Sequence, residues 1–223
     1  MYLKNLPAGK NFVAILFSVC AVFSSQEISA QKQKYDSIAK AQRKTTLEFL
    51  DLKTTDSIAD IGTGTGYSLV PIAGEYPDIS FTVEDIDSSE CNRKKMQKQI
   101  RRWDNKANID QFSFHYGTET STGLPANSYN KVMMFNLVHE LTYKTEMLND
   151  IKRILSNDGV ILIEEILVRK KIKRDKNCNY PYLTEDEFKT VMAENKFILK
   201  KEKIAYDSEH NRYLKLFEYS PVR

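Results

Sequence analysis

Residues 60–66 read Asp-Ile-Gly-Thr-Gly-Thr-Gly. Alternate glycines let a backbone turn sharply and let a ligand approach it with no Cβ in the way. The dinucleotide fingerprint spaces its glycines Gly-x-Gly-x-x-Gly and lays a pyrophosphate against them. Here Gly62, Gly64 and Gly66 follow Gly-x-Gly-x-Gly instead, with Asp60 two residues ahead. A carboxylate at that point gains nothing from an anion and much from a ligand carrying positive charge. Three more acids, Glu84, Asp85 and Asp87, follow in "VEDID", and His139 and Glu140 stand together in "NLVHEL". The latter pair are of the types that accept a proton in general-base chemistry.

Such groups must be held by regular elements, and the chain alternates between them. Helical spacing marks 35–50, with Tyr35, Ile38, Ala39, Leu47 and Leu50 as its apolar stripe; 57–61 is a short apolar strand. A helix over 66–76 is limited by Pro71. A strand over 79–86 and a helix over 88–103 follow, the helix capped by Ser88 and placing Met96, Ile100 and Trp103 on one face. Residues 109–116 form the third strand. Residues 131–138, apolar almost throughout, form a fourth strand of the kind buried on both faces of a parallel sheet. An amphipathic helix over 143–159, ended by Gly159, leads into a fifth strand over 160–166. After a polar loop, Thr184 and Glu187 form a capping box for a helix over 184–195, and strands over 196–206 and 212–220 close the chain as a hairpin. The expected fold is α/β: a three-layer, open, mostly parallel sheet of about seven strands with a C-terminal antiparallel hairpin and helices on both faces. In such a sheet the ligand lies beyond the carboxyl ends of the strands, by the first strand–helix turn.

The stretch "DIGTGTGY" after a strand resembles motif I of the class I S-adenosylmethionine-dependent methyltransferases, and the order of elements over 35–220 follows that family. The resemblance implies that Gly62, Gly64 and Gly66 lie against the methionine and ribose parts of S-adenosylmethionine, and that Asp60 orients the methionine end. The family carries an acid at the end of the second strand that takes both ribose hydroxyls. The pattern acid–apolar–acid assigns this to Asp85, leaving Glu84 and Asp87 as solvated loop acids. Where the family often has Gly-Asp after the third strand, this chain has Gly117-Thr118, so Thr118 or Glu119 accepts from the adenine amino group. Asn130 stands where Asp is common. Asn136 corresponds to a cofactor-lining position. His139, then Glu140, fall at the mouth where the methyl group would lie, as candidates for a base.

Composition narrows the partners. The 33 basic and 30 acidic residues nearly balance, which leaves no electrostatic footprint for nucleic acid. Cys91 and Cys178 lack the CxxC spacing of a metal site; free thiols are expected, with one long-range disulfide as the alternative. Residues 1–30 combine Lys4 and Lys10, the apolar run 12–23 and small residues ending at Ala30. This is the order of a secretory signal peptide, too short in its apolar part for the roughly 20 residues that span a bilayer. Residues 31–223 then form one methyltransferase domain in a secreted or periplasmic protein with no stable membrane insertion after cleavage. The alternative is an uncleaved N-terminal anchor. The expected activity is methyl transfer from S-adenosylmethionine to a small-molecule acceptor, with Tyr180 and Tyr182 as possible walls for it. The rival reading is a secreted binding module that keeps the fold without catalysis.

Overall fold

Ile58–Ile61 (β1) is four residues long and buried throughout, because the strand lies in the middle of a sheet. The computed structural model describes residues 40–103, 106–171, 180–208 and 210–223. The expected signal peptide, Tyr35, Ile38, Ala39 and Cys178 lie outside them. Two compact units divide the chain, Met1–Gln42 and Arg43–Arg223. Of the first, only residues 40–42 are described, and they are helical.

The second unit begins with helical residues 43–50 (α1). Then come β1, Leu69–Ala73 (α2), Phe81–Asp85 (β2), Arg93–Arg102 (α3), Phe112–Tyr116 (β3), Tyr129–Phe135 (β4), Lys144–Ile154 (α4), Leu155–Val168 (β5), Glu185–Glu194 (α5), Phe197–Asp207 (β6) and Arg212–Pro221 (β7). The seven strands form one sheet in the order β3-β2-β1-β4-β5-β7-β6. The first five run parallel; β7 is antiparallel to both β5 and β6. The expected architecture is the observed one. From β1 the chain works outward through β2 to β3, then returns to lay β4 on β1's other side. That reversal opens a crevice at the carboxyl ends of β1 and β4.

Alternate strand residues feed two cores. Ile61, Val132, Met134, Ile161 and Ile163 pack with Leu148 and Ile151 of α4 and Phe188 of α5. Ile58, Phe81, Val83, Met133 and Leu162 pack with Phe49 of α1, Val70 of α2 and Met96 of α3 on the opposite face. Helices therefore cover both faces, and β4 is apolar at consecutive positions because both of its faces are covered.

Among the boundaries that differ from expectation, three have a clear physical cause. The helix after β2 is capped by Asn92, whose side chain accepts from Lys95 N–H, not by Ser88. Residues 87–91 first make a turn in which Asp87 O accepts from Glu90 and Cys91 N–H, so the helix starts a turn late. The front of the third strand is a 3-10 turn, Ile109–Gln111, held by an Asn108/Gln111 capping box. Gly159 does not end α4. The helix stops at Ile154, and Gly159 lies inside β5 where pairing with β4 slips between Tyr129 and Lys131. A Cβ there would sit 2.9 Å from Tyr129 O and 2.9 Å from Leu155 Cδ2, so glycine serves a close backbone approach at an irregularity. The Thr184/Glu187 capping box forms as expected.

Candidate functional site

The glycine turn leaves β1 with Gly62, Gly64 and Gly66 all in the left-handed region, at φ +68°, +53° and +82°. It is pinned from inside: Thr63 N–H donates to Glu84 O, and Thr63 Oγ1 donates to Asp60 O. The glycines face different neighbours. A Cβ on Gly62 would fall 2.6 Å from the Leu137 methyls, one on Gly66 only 2.2 Å from Met96 Sδ, and one on Gly64 would meet nothing within 4 Å. Gly66 thus seats α3 against the turn, while Gly64 opens onto a cavity.

That cavity, of about 270 Å³, lies at the switch point. Gly62, Gly64, Glu84, Asp85 and Ile86 line one side; Thr118 and Glu119 line the β3 loop. Leu137, Glu140, Leu141, Met147 and Tyr180 line the side toward β4 and α4. Asp85 Oδ2 accepts from Gly64 N–H at 2.8 Å and Oδ1 from Asp87 N–H at 2.8 Å, which draws the carboxylate across the turn. Asp87 is exposed and caps Ser89 N–H. Glu84 is not the solvated acid that the sequence suggests: it is 1% exposed. Strand alternation turns it inward, where its Oε1 has no hydrogen-bond partner. Asp60 is 2% exposed and its Oδ1 likewise lacks a partner.

Burial sets the electrostatics here. It pushes Asp60 up to about 7, against a hydrogen bond from Thr63 and with help from the Asp85 charge. Burial, then the Asp85 charge, push Glu84 up to about 8, against backbone hydrogen bonds from Gly117 and Gly62. Burial and the same three acids push the Cys91 thiol up to about 12. Cys91 is free and buried. Among the described residues no cation lies against Asp60 or Glu84 to offset that burial.

Across the cavity, Glu140 is 46% exposed and lines the wall. His139 points the other way and is nearly enclosed. Its Nδ1 lies 2.6 Å from Glu165 Oε1, its ring packs on Tyr182 at 4.8 Å, and its Nε2 lies 3.7 Å from Glu140 Oε1. Glu165 is fully buried, and its other oxygen accepts from Val138 N–H at 3.0 Å.

Of the residues expected at a site, the structure brings Gly62, Gly64, Asp85, Thr118, Glu119, Glu140 and Tyr180 onto one cavity. Asp60, Gly66, Asn136 and His139 lie behind it. Asn136 has φ +53° and a side-chain oxygen that accepts from Ile166 N–H at 3.0 Å; its own N–H donates to Glu164 O, so it fastens the end of β4 to β5. Asn130 does comparable work at the other end of β4, accepting from Ser57 N–H. Thr118 Oγ1 accepts from Ser121 N–H within a tight turn. Glu165 escapes the sequence reading, and that reading leaves Glu84 solvated. The signal for Glu165 was present in "ILIEEIL": two adjacent acids inside an apolar strand must each find a buried partner. Glu164 finds Thr46 on the α1 face and Glu165 finds His139 on the other.

Residues 59–161 match the family model of a methyltransferase domain. No curated protein matches the chain in sequence. Among solved structures the chain is similar to an S-adenosylmethionine-dependent methyltransferase from Aquifex aeolicus, with 15% identity over 80% of this chain and 89% of that one, at a TM-score of 0.62. It is similar to geranyl diphosphate C-methyltransferase from Streptomyces coelicolor A3(2), with 11% identity over 81% and 79% of the two chains, TM-score 0.60. It is equally similar to the 4+2 cyclase SpnF, with 11% identity over 81% and 82%, TM-score 0.61.

Proposed function

We propose that this chain, which has the class I S-adenosylmethionine-dependent methyltransferase fold, binds S-adenosylmethionine and transfers its methyl group to a small-molecule acceptor. One observation carries the reading. An alternate-glycine turn, open at Gly64, sits above buried carboxyl groups whose Asp60 Oδ1 and Glu84 Oε1 have no partner. A ligand bearing an ammonium and a sulfonium supplies the missing charge; a pyrophosphate would add to the repulsion.

Bound there, the cofactor supplies an electrophilic methyl group on sulfur. The chain's own residues bind, orient and enclose. Asp60 favours the cationic methionine end. Asp85, already drawn across the turn, offers its carboxylate to the ribose diol. Thr118 and Glu119, on the β3 loop, are acceptors for the adenine amino group. Leu137, Leu141, Met147 and Tyr180 give the acceptor a partly apolar wall, with the Glu140 carboxyl group among them. The neighbouring geranyl diphosphate enzyme shows a small-molecule substrate on this fold. The N-terminal order of basic, apolar and small residues supports export with cleavage after Ala30.

The second reading is a non-catalytic or differently catalytic binding module. The same fold in a cyclase favours keeping it, since a fold does not fix the reaction it hosts. Calorimetric titration with S-adenosylhomocysteine and, separately, NAD is the direct test. Saturable binding of the first and a flat trace with the second are expected. A flat trace with both would remove the cofactor, and the methyltransferase reading with it.

A further inference from the structure

The pair His139–Glu165 is unusual in being enclosed and yet one residue from the cavity wall. The Glu165 carboxyl group spends one oxygen on Val138 N–H and turns the other to His139 Nδ1. The far ring nitrogen, Nε2, faces Glu140 at 3.7 Å, and Glu140 is half-exposed on the cavity. The groups form a line running inward from the cavity: Glu140, His139, Glu165. From the other elements packed around them come the Tyr182 ring on His139 and Lys144 of α4, whose ammonium donates to Leu141 O and lies within reach of the Glu165 charge. Arg212 of β7 lies over the Tyr182 ring at 5.9 Å.

We infer that Glu140, His139 and Glu165 form a proton relay: Glu140 is the group that meets the acceptor, and His139 and Glu165 are positioning residues behind it. This rests on the methyltransferase reading of the cavity. The relay suits an acceptor whose nucleophilic atom carries a proton, a hydroxyl or an amine. As that atom is methylated its O–H or N–H bond breaks and an O–H bond forms on Glu140. The proton then passes from Glu140 to His139 Nε2, breaking the first bond and forming the second. The imidazolium so produced keeps its Nδ1–H directed at Glu165. A buried imidazole without that carboxylate would resist the second proton, and a ring free to rotate would not present Nε2 to Glu140. The histidine is therefore a reservoir for the proton, set back from the reacting atoms. The separation of 3.7 Å is closed by a rotation of Glu140, which its half-exposure permits.

Long-range proton–nitrogen NMR of the full chain labelled at histidine nitrogen tests the relay without knowledge of the acceptor. His139 is assigned by His139→Asn. In the unaltered chain the proton should sit on Nδ1, facing Glu165, and the Nε2 lone pair should face Glu140. Glu165→Gln leaves one carbonyl for two donors and removes a charge. In it, Nδ1 should lose its fixed proton. Glu140→Gln, on the cavity wall, should leave the Nδ1 proton in place but move the Nε2 signal, because only Nε2 faces that side chain. An Nε2 signal unmoved in Glu140→Gln would overturn the relay, as would an unprotonated Nδ1 in the unaltered chain. S-adenosylhomocysteine affinity should stay within about twofold across all three chains. A flat calorimetric trace with the unaltered chain would instead remove the cofactor reading while leaving the histidine result standing.

Discussion

A carboxylate in water is indifferent to its neighbours; the same group at the base of this cavity is not. Asp60 and Glu84 both ionise later in the folded chain than in the unfolded one, at about 7 and about 8. As the pH rises the unfolded chain therefore gives up these protons first. The two acids cost nothing below the ordinary carboxylate range (about 4) and destabilise the ligand-free chain increasingly as the pH climbs through their folded values. Asp60→Asn should flatten part of this slope, measured as melting temperature against pH. A bound cation reverses the penalty, so affinity for S-adenosylmethionine, with its sulfonium and ammonium, should rise from about pH 6 to about pH 8, with proton release visible in buffers of different ionisation enthalpy. An affinity that falls over that range would contradict the assignment of the acids to a cationic ligand. Asp85 makes a separate point. It already holds Gly64 and Asp87 N–H, so Asp85→Ala should weaken cofactor binding more than tenfold while the chain stays folded; charged hydrogen bonds are worth about 1.5–3 kcal/mol each. Unchanged affinity by calorimetry would move the ribose contact elsewhere. At this scale the family pattern singles out Asp85, which does line the cavity, but it does not tell the exposed Asp87 from the buried Glu84. Adjacent acids on a strand point to opposite sides, and which side is covered depends on β3 and α4, far away in sequence.

Elements were most legible where local chemistry closes on itself. The Thr184/Glu187 box and the apolar run of β4 needed no distant partner to be recognised. Ser88 and Gly159 misled because each is a good local terminator overruled from afar, the one by the Asp87 turn and the other by pairing of β5 with β4. The glycine turn shows the same division within five residues. Gly64 and Gly66 are indistinguishable by type, yet one faces the cavity and the other Met96. Gly64→Val should therefore stay folded, losing about 1–2 kcal/mol to its positive φ, and lose S-adenosylhomocysteine binding. Gly66→Ala should lower the melting temperature further, because Met96 is fully buried and cannot retreat. A loss in the Gly66→Ala, Met96→Ala pair smaller than the sum of the two single losses would confirm the contact; additive losses would place the strain in the backbone alone. At the other end of the sheet, Glu185 is opposed by burial but accepts from Lys189, Lys215 and Tyr213, which hold it down to about 2. The stability it supplies is present above the ordinary glutamate range and is lost as the pH falls toward that value. Glu185→Gln should cost about 1–2 kcal/mol by denaturant unfolding at neutral pH and little in strong acid.

The molecule as a whole places a cavity lined by Glu84 and Asp85 at the carboxyl ends of β1, β2 and β4, and an antiparallel β6–β7 pair at the opposite flank from β3. On the proposed reading, an enzyme and a binder of the same cofactor would both use Asp60, Gly64 and Asp85, so that plan alone does not separate them. They part at the wall carrying Glu140. Thermal unfolding therefore separates the alternatives in two steps. S-adenosylhomocysteine at about 100 times its Kd should stabilise the chain by about 2.7 kcal/mol, and NAD at equal concentration should not shift the melting temperature. This first step reads only the cofactor half of the cavity. The second repeats the measurement on the Asp85→Ala and Glu140→Gln chains. The shift should vanish in Asp85→Ala, which loses the diol contact, and persist in Glu140→Gln, which loses only the group turned to the acceptor. A shift abolished by both would make Glu140 part of the cofactor's own binding surface, and the wall assigned to the acceptor would have to be sought elsewhere on the cavity. A shift that survives Glu140→Gln leaves Leu137, Leu141, Met147 and Tyr180 beside a carboxylate that the cofactor does not require, which is what a second, smaller substrate needs in order to be held and to lose a proton.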